Sequence, residues 1–137
     1  MKRKKKILII ENDQKNREAL SEILSKDYEV LEASNGKEGF DLLKDASNVF
    51  SLIVLNLHTP IMDGYEFMAL LSKEKSKKNI PVIVTTSKGS EEEEILCLEK
   101  GASDFIVKPY NSEIVKKRVA SLIRLNEASV LLNKVER

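Results

Sequence analysis

Cysteine is nearly absent from this sequence, since Cys97 is the only one in 137 residues and no internal disulfide can form. Such sparing use suits a reducing compartment, so we expect a cytoplasmic location. Five glycines and three prolines are too few for a disordered chain. No apolar run is long enough to span a bilayer, and we expect no membrane attachment. The formal net charge of +1 indicates no general attraction for a polyanion such as nucleic acid.

The N-terminus is locally basic, with five Lys or Arg residues in Met1–Lys6. The apolar run that follows, Ile7–Ile10, is too short for the core of a signal peptide. The basic run could contact nucleic acid or an acidic membrane surface. We favour a solvated segment ahead of the first strand, because neither interleaved aromatic residues nor a second basic patch accompanies it.

Short aliphatic runs alternate five times with amphipathic helical patterns. With 42% hydrophobic and 33% charged residues, the chain has the composition of one globular domain. Alternation of this kind predicts a parallel α/β sheet with helices on both faces. The predicted strands are Ile7–Ile10, Tyr28–Ala33, Leu52–Leu55, Pro81–Thr85 and Asp104–Val107, and the predicted helix caps are Asp13, Asn35 (with Glu38), Ser90 (with Glu93) and the C-terminal Gly101.

Polar residues follow the strands where a functional edge is expected. In an open parallel sheet, binding sites form at the carboxyl ends of the strands, near the point where strand order reverses. Carboxylate, amide, hydroxyl and ammonium groups therefore converge on one small polar site. Its predicted members are Glu11, Asn12 and Asp13 after strand one, Asn56 after strand three, Thr86 after strand four, and Lys108 followed by Pro109 after strand five.

These motifs resemble the receiver domain of two-component response regulators, the CheY-like family. The resemblance covers about residues 5 to 125. It rests on the corner after strand one, the Leu-x-x-Pro-x-Met-Asp-Gly loop at 57–64, Thr86, the Gly101-Ala102-x-Asp104 segment and Lys108-Pro109. It implies a flavodoxin-like five-stranded sheet of order 2-1-3-4-5.

The resemblance also implies a chemistry. In the family, an aspartate at the end of strand three accepts a phosphoryl group from a histidine kinase, assisted by magnesium on the strand-one acids. Thr86 and Lys108 match the residues that contact the phosphoryl oxygens. Phe105 matches an aromatic that rotates inward with the threonine on activation. Such a domain is a signalling module and is not expected to be an enzyme.

This sequence departs from the family at two critical positions. Asn56 stands where the phospho-acceptor aspartate is expected, and Asn12 stands where a metal-ligating acid is expected. An amide cannot form the acyl phosphate. The remaining cation donors are Glu11 and the backbone carbonyl of His58, which give at most a weak magnesium site, so we expect no metal or other cofactor. The sequence therefore predicts a degenerate receiver that acts as a phosphorylation-independent interaction or dimerisation module.

Two alternatives remain open. The asparagines could be engineered into a phospho-accepting receiver, or the chain could be an unrelated nucleotide- or flavin-binding α/β protein. The second alternative predicts Gly, Ser or Thr after strand one, and the residues 11–16 contain none. We interpret His58 as a surface residue and Cys97 as a small packed side chain.

The last helical pattern runs from Asn111 to Val135, beyond the length that a receiver needs. We predict a receiver at 1–123 and an extension at 124–137 that leads to an effector domain after Arg137, with a diguanylate cyclase as one candidate. An approximate a/d seam is formed by Leu122, Leu125, Ser129 and Leu132. The expected partners are a histidine kinase or another signalling protein, or a second copy bound through the fourth and fifth strands and helices.

Overall fold

A computed structural model describes residues 3–135 as five parallel strands alternating with five helices. The strand order is β2-β1-β3-β4-β5, which confirms the predicted fold class and order. Met1 and Lys2 of the basic run, and Glu136 and Arg137 of the extension, lie outside the described residues. The elements are β1 Lys6–Ile10, α1 Gln14–Leu24, β2 Glu29–Ala33, α2 Gly36–Lys44, β3 Phe50–Asn56, α3 Gly64–Leu71, β4 Val82–Thr86, α4 Glu91–Glu99, β5 Asp104–Val107 and α5 Ser112–Val135.

Helices cover both faces of the sheet, and each face forms its own core. On one face, α2, α3 and α4 pack through residues such as Phe40, Phe67 and Cys97. On the other face, α1 and α5 pack through residues such as Leu20 and Val119. Because β1 and β3 lie inside the sheet, their aliphatic runs are buried on both sides, as continuous rather than alternating apolar runs predict.

The predicted caps are confirmed. The side chains of Asp13, Asn35 and Ser90 accept hydrogen bonds from the third residue into α1, α2 and α4 respectively. Gly101 follows α4 with φ of 112°, the left-handed conformation that glycine adopts without a steric cost. These caps fix where each helix starts, and therefore where each strand-to-helix loop meets the functional edge.

The structure decides which sides of α4 and α5 are buried. Ile95, Leu96 and Leu98 are all exposed, whereas Cys97, which we interpreted as a small packed side chain, is the buried residue of α4. Leu122 is half-buried against the α1–α5 core, so it packs on its own domain and is not free to start an intermolecular seam. In both helices the sequence identifies the apolar residues, but it does not identify the side of the helix that packs on the sheet.

Among residues 3–135, none of the helices combines the length and the apolar character needed to cross a membrane. α5 continues without a break to Val135, and Ile123 is its last buried residue in the described side chains. α5 therefore crosses the boundary predicted at residue 123 without a break, and the division at that residue stays a prediction.

Candidate functional site

The predicted polar residues gather at the carboxyl edge of the sheet. Asn56 is the last residue of β3 and pairs with Thr85, and Thr86 ends β4. Glu11 directly follows β1, and Lys108 directly follows β5. Since β1 and β3 are neighbours at the centre of the sheet, Glu11 and Asn56 are brought together although 45 residues separate them.

Glu11 is the centre of this site. Its side chain is 0% exposed, and its carboxylate is surrounded by hydrogen-bond donors. Lys108 Nζ lies 2.6 Å from Oε1, while the Asp13 backbone N–H donates to Oε2 at 3.0 Å. A buried carboxylate is tolerated only when it is paired and hydrogen-bonded, so Lys108 and these donors are what allow Glu11 to be buried.

Asn56 is buried beside Glu11, with 5% of its surface exposed. Its amide Nδ2 donates to Glu11 Oε2 at 3.0 Å and to Asn12 Oδ1 at 2.9 Å. An amide nitrogen carries two hydrogens, so both bonds form at the same time. The three residues thus make one hydrogen-bonded unit across β1 and β3.

Asp13 contributes differently from Glu11 and Asn12. Its side chain is exposed and accepts from the backbone N–H of Asn16, which caps α1. Only its backbone amide takes part in the Glu11 network. The Asp13 carboxylate therefore caps α1. The charged side chains described at the site itself are one acid, Glu11, and one base, Lys108.

Thr86, Phe105, Lys108 and Pro109 lie along the β4–β5 side of the site. Thr86 is fully buried, and its hydroxyl oxygen accepts from the Lys88 backbone N–H at 3.2 Å. Phe105 is 6% exposed and packs in the core on the α3–α4 side. The Lys108–Pro109 peptide is cis, and the Lys108 backbone N–H donates to the Thr86 carbonyl at 2.8 Å.

The loop after β3 is folded back by a close approach of two backbones. The Gly64 N–H donates to the Leu57 carbonyl at 2.8 Å, and a Cβ on Gly64 would lie 2.9 Å from Leu57 Cα. Only glycine fits there. The Thr59 hydroxyl also donates to the Met62 carbonyl at 2.7 Å, which closes the loop on itself.

His58 points away from this network. Its side chain is 57% exposed and its Nε2 lies 3.2 Å from Glu93 Oε2 on α4. This agrees with the interpretation of His58 as a surface residue, with the addition of a contact between the β3–α3 loop and α4.

Sequence reasoning missed Tyr110 and Arg17. The Tyr110 hydroxyl donates to Glu11 Oε1 at 3.5 Å, and burial raises the pKa of Tyr110 above its ordinary value, so the donor proton is retained. Arg17 Nη1 donates to the Glu11 carbonyl at 2.8 Å. The place of Tyr110 directly after Lys108-Pro109 was a usable signal, whereas Arg17 is one of many charged residues on a helix.

The donor set does not suit magnesium. Mg²⁺ favours carboxylate oxygens in octahedral geometry. Among residues 3–135, Glu11 is the only one whose carboxylate is directed into this site. Both of its oxygens already accept hydrogen bonds, and the Asn12 oxygen accepts from Asn56. Within the described part of the chain, no group of three or more His, Cys, Asp or Glu is arranged to hold a metal ion.

Comparison with known proteins identifies relatives for nearly the whole chain. A family model described as the response regulator receiver domain matches residues 7–120. The transcriptional regulatory protein SrrA of Staphylococcus aureus is 34% identical over 126 residues, which cover 91% of this chain and 50% of that protein. The chain therefore spans about half the length of the curated relatives it matches.

Solved structures agree with the sequence relatives. A receiver domain of a signal transduction histidine kinase from Syntrophus aciditrophicus is 30% identical with a TM-score of 0.79, covering 88% of this chain and 90% of that one. A CheY-like receiver domain protein from Methanospirillum hungatei is 25% identical with a TM-score of 0.83, covering 92% of this chain and 98% of that one.

Proposed function

Because the chain belongs to the response regulator receiver domain family, we propose that it is a two-component receiver that works without phosphorylation. The observation that carries this proposal is Asn56, an amide at the end of β3 where the family's phospho-acceptor aspartate is expected. Under this proposal the domain has no catalytic activity of its own and acts in the cytoplasm by binding other proteins.

Phosphoryl transfer to a receiver needs a carboxylate nucleophile. A carboxylate oxygen attacks phosphorus while the bond from phosphorus to the histidine nitrogen of the kinase breaks. The oxygen of Asn56 is a neutral amide oxygen, and its nitrogen lone pair is delocalised into the carbonyl. Neither atom can form the acyl phosphate, and the nitrogen is already bonded to Glu11 and Asn12.

We assign the other site residues by their correspondence to the family. The proposed acidic-pocket positions are Glu11, Asn12 and Asp13, and the proposed phosphoryl-contact and switch positions are Thr86, Phe105, Lys108 and Pro109. Lys108 would serve an incoming phosphoryl group, but here its ammonium is 2.6 Å from the Glu11 carboxylate. The lysine charge is therefore already neutralised within the protein, which supports loss of the reaction.

The surface formed by α4, β5 and α5 supports binding of a second copy. A groove of about 380 Å³ runs along it, with Glu94, Val107, Ile114 and Arg118 among its lining residues. Val107 and Ile114 are 45% and 46% exposed, although both are large and apolar. Apolar side chains grouped in an exposed groove favour a protein partner.

The α4–β5–α5 surface has an acidic part and a basic part, which can pair between two copies of the chain. α4 begins with four consecutive acids, Glu91–Glu94, whereas on α5 the basic Arg118 lines the groove and its neighbour Lys117 is exposed. A two-fold dimer uses the same patch on both copies, so the acidic α4 of one copy can face the basic α5 of the other. This arrangement favours a homodimer over a partner whose contacting surface is only acidic or only basic.

The exposed side of α5 extends the same surface. Ile114, Leu125 and Leu132 are separated by eleven and seven residues, so they lie on one side of a helix with 3.6 residues per turn. Leu125 and Leu132 are 65% and 58% exposed. We propose that this stripe, rather than the seam beginning at Leu122, pairs with its counterpart in the second copy.

We retain the division into a receiver at 1–123 and an extension at 124–137 that leads to an effector domain. The matched region covers 50% of the relative from Staphylococcus aureus, which is named a transcriptional regulatory protein. That name favours a transcriptional output over the diguanylate cyclase suggested by the sequence. We propose a histidine kinase as a binding partner even without phosphoryl transfer.

Of the two alternatives, the nucleotide- or flavin-binding protein is set aside because the family match spans the sheet and its functional edge. The alternative of engineered asparagines is retained as the competing function. It shares with the proposal the prediction that the double back-substitution restores phosphorylation, and it differs in giving the chain as written no function of its own.

The deciding experiment is intact mass spectrometry after incubation with acetyl phosphate and magnesium. We expect no phosphoryl adduct on the chain as written, and an adduct on the double variant Asn12→Asp, Asn56→Asp. An adduct on the unmodified chain would overturn the proposal. A folded double variant that stays unlabelled would show that the pocket differs from the family in more than these two residues.

A further inference from the structure

The Asn56 amide contacts both oxygens that the family would turn toward a cation. Nδ2 lies 3.0 Å from Glu11 Oε2 and 2.9 Å from Asn12 Oδ1, so one donor group bridges two acceptors of the β1–α1 corner. Because both acceptors are oxygens with negative or partial negative charge, a positively charged group is favoured in the position that bridges them. The two amide hydrogens supply partial positive charge there.

The Glu11 carboxylate has no oxygen left for an ion. A carboxylate offers about four acceptor sites. Here they are met by Lys108 Nζ at 2.6 Å, the Asp13 N–H at 3.0 Å, the Asn56 amide at 3.0 Å and the Tyr110 hydroxyl at 3.5 Å. Glu11 is also 0% exposed, so an incoming cation would have to displace donors from a buried carboxylate.

We propose that the Asn56 amide is an internal replacement for the divalent cation of this pocket. Its two hydrogen bonds to Glu11 and Asn12, which we call the clamp, hold the β1, β3 and β5 ends of the site in one arrangement. This inference rests on the proposed function, because it explains how a pocket without an acceptor is kept closed. It assigns Asn56 a stabilising role in addition to the loss of a nucleophile, and it adds Tyr110 to the site.

The clamp makes stability independent of magnesium. An aspartate at position 56 would place a second carboxylate about 3 Å from Glu11, and like charges that close repel strongly in a buried site. In EDTA we expect Asn56→Asp to lower the Tm by about 5 °C or more. Millimolar magnesium should leave the Tm of the unmodified protein unchanged relative to sodium chloride of equal ionic strength.

The experiment is a thermal unfolding series with matched controls. Asn79→Asp adds the same charge in an exposed turn and should leave the Tm unchanged. Asn56→Ala removes the donor without adding charge and should fall between the unmodified protein and Asn56→Asp. Magnesium should raise the Tm of Asn12→Asp, Asn56→Asp, which regains the carboxylates. If Asn56→Asp does not fold, Asn56→Ala still tests the clamp.

Two results would overturn the clamp. One is a magnesium-dependent rise in the Tm of the unmodified protein, and the other is an Asn56→Ala variant as stable as the Asn79→Asp control. Neither result would create a phospho-acceptor, so the clamp can fail while the proposed function stands. Conversely, a phosphoryl adduct on the unmodified chain would remove the proposed function whatever the thermal data show.

Discussion

At Ile61 the backbone adopts a conformation that its side chain disfavours. Its φ is 70°, and the Met62 N–H donates to the Pro60 carbonyl at 2.7 Å. Together these define a tight turn with a positive φ at its centre, a conformation disfavoured for a β-branched residue. A β-branched residue in this region costs roughly 1–2 kcal/mol, and Ile61 recovers little by packing because it is 75% exposed.

We therefore predict that Ile61→Asn stabilises the fold. Asparagine tolerates positive φ, so the free energy of unfolding should rise by about 1 kcal/mol in urea denaturation. Val49→Asn is the matched control, since Val49 is also β-branched and 79% exposed but has no positive φ. Equal effects of the two substitutions would contradict strain at Ile61.

Among the elements, α4 is held on the sheet by few side chains. Cys97 is its buried residue, and its Sγ lies 3.9 Å from the Tyr65 hydroxyl. Glu93 Oε2 contacts His58, but Oε1 is shielded from solvent without a hydrogen-bond partner in the described residues. Because one buried side chain and one partly exposed polar contact hold it, α4 is expected to open locally at lower cost than the core strands.

Thiol labelling of Cys97 measures this opening, because Cys97 is the only cysteine. Burial raises the pKa of the Cys97 thiol, so the thiolate is scarce at neutral pH and labelling should speed up as pH rises. We expect Glu93→Gln to increase the labelling rate by about two- to five-fold, since it weakens a partly exposed contact worth up to about 1 kcal/mol.

Glu92→Gln provides the control for that measurement. Glu92 is exposed on the same helix, so its loss of charge changes the N-terminal turn of α4 without touching His58. Labelling rates that are equal in the two variants would show that the His58–Glu93 contact does not hold α4 in place.

At the scale of the whole molecule, the α4–β5–α5 surface predicts self-association. Sedimentation should show a monomer–dimer equilibrium that weakens at high salt, because the acidic α4 and basic α5 would attract across the interface. Ile114→Asp places a charge in the groove and should shift the equilibrium toward monomer. The substitution lies in the first turn of α5, where an acid is favourable for the helix.

Val49→Asp is the control for dimerisation, since it adds the same charge at an exposed apolar position that does not line the groove. It should leave the equilibrium unchanged. A chain that stays monomeric at all concentrations, or equal effects of the two substitutions, would contradict the proposed homodimer.

The sequence by itself determined the fold class and most members of the site. Aliphatic runs such as Ile7–Ile10 predict buried parallel strands, and Asp13, Asn35 and Ser90 predict helix starts, because periodicity and caps are local properties. Since the strand ends of a parallel sheet share one edge, the sequence alone groups Glu11, Asn56 and Lys108.

Only the tertiary structure decided which of those residues form hydrogen bonds with one another. The bridge from Asn56 to Glu11 and Asn12, and the approach of Tyr110 to Glu11, join residues 44 to 99 positions apart, and their geometry depends on strand register and rotamers. It also decided that Ile95, Leu96 and Leu98 face outward while Leu122 packs inward. A hydrophobic pattern records which residues favour burial, but only packing fixes which side of a helix meets the core.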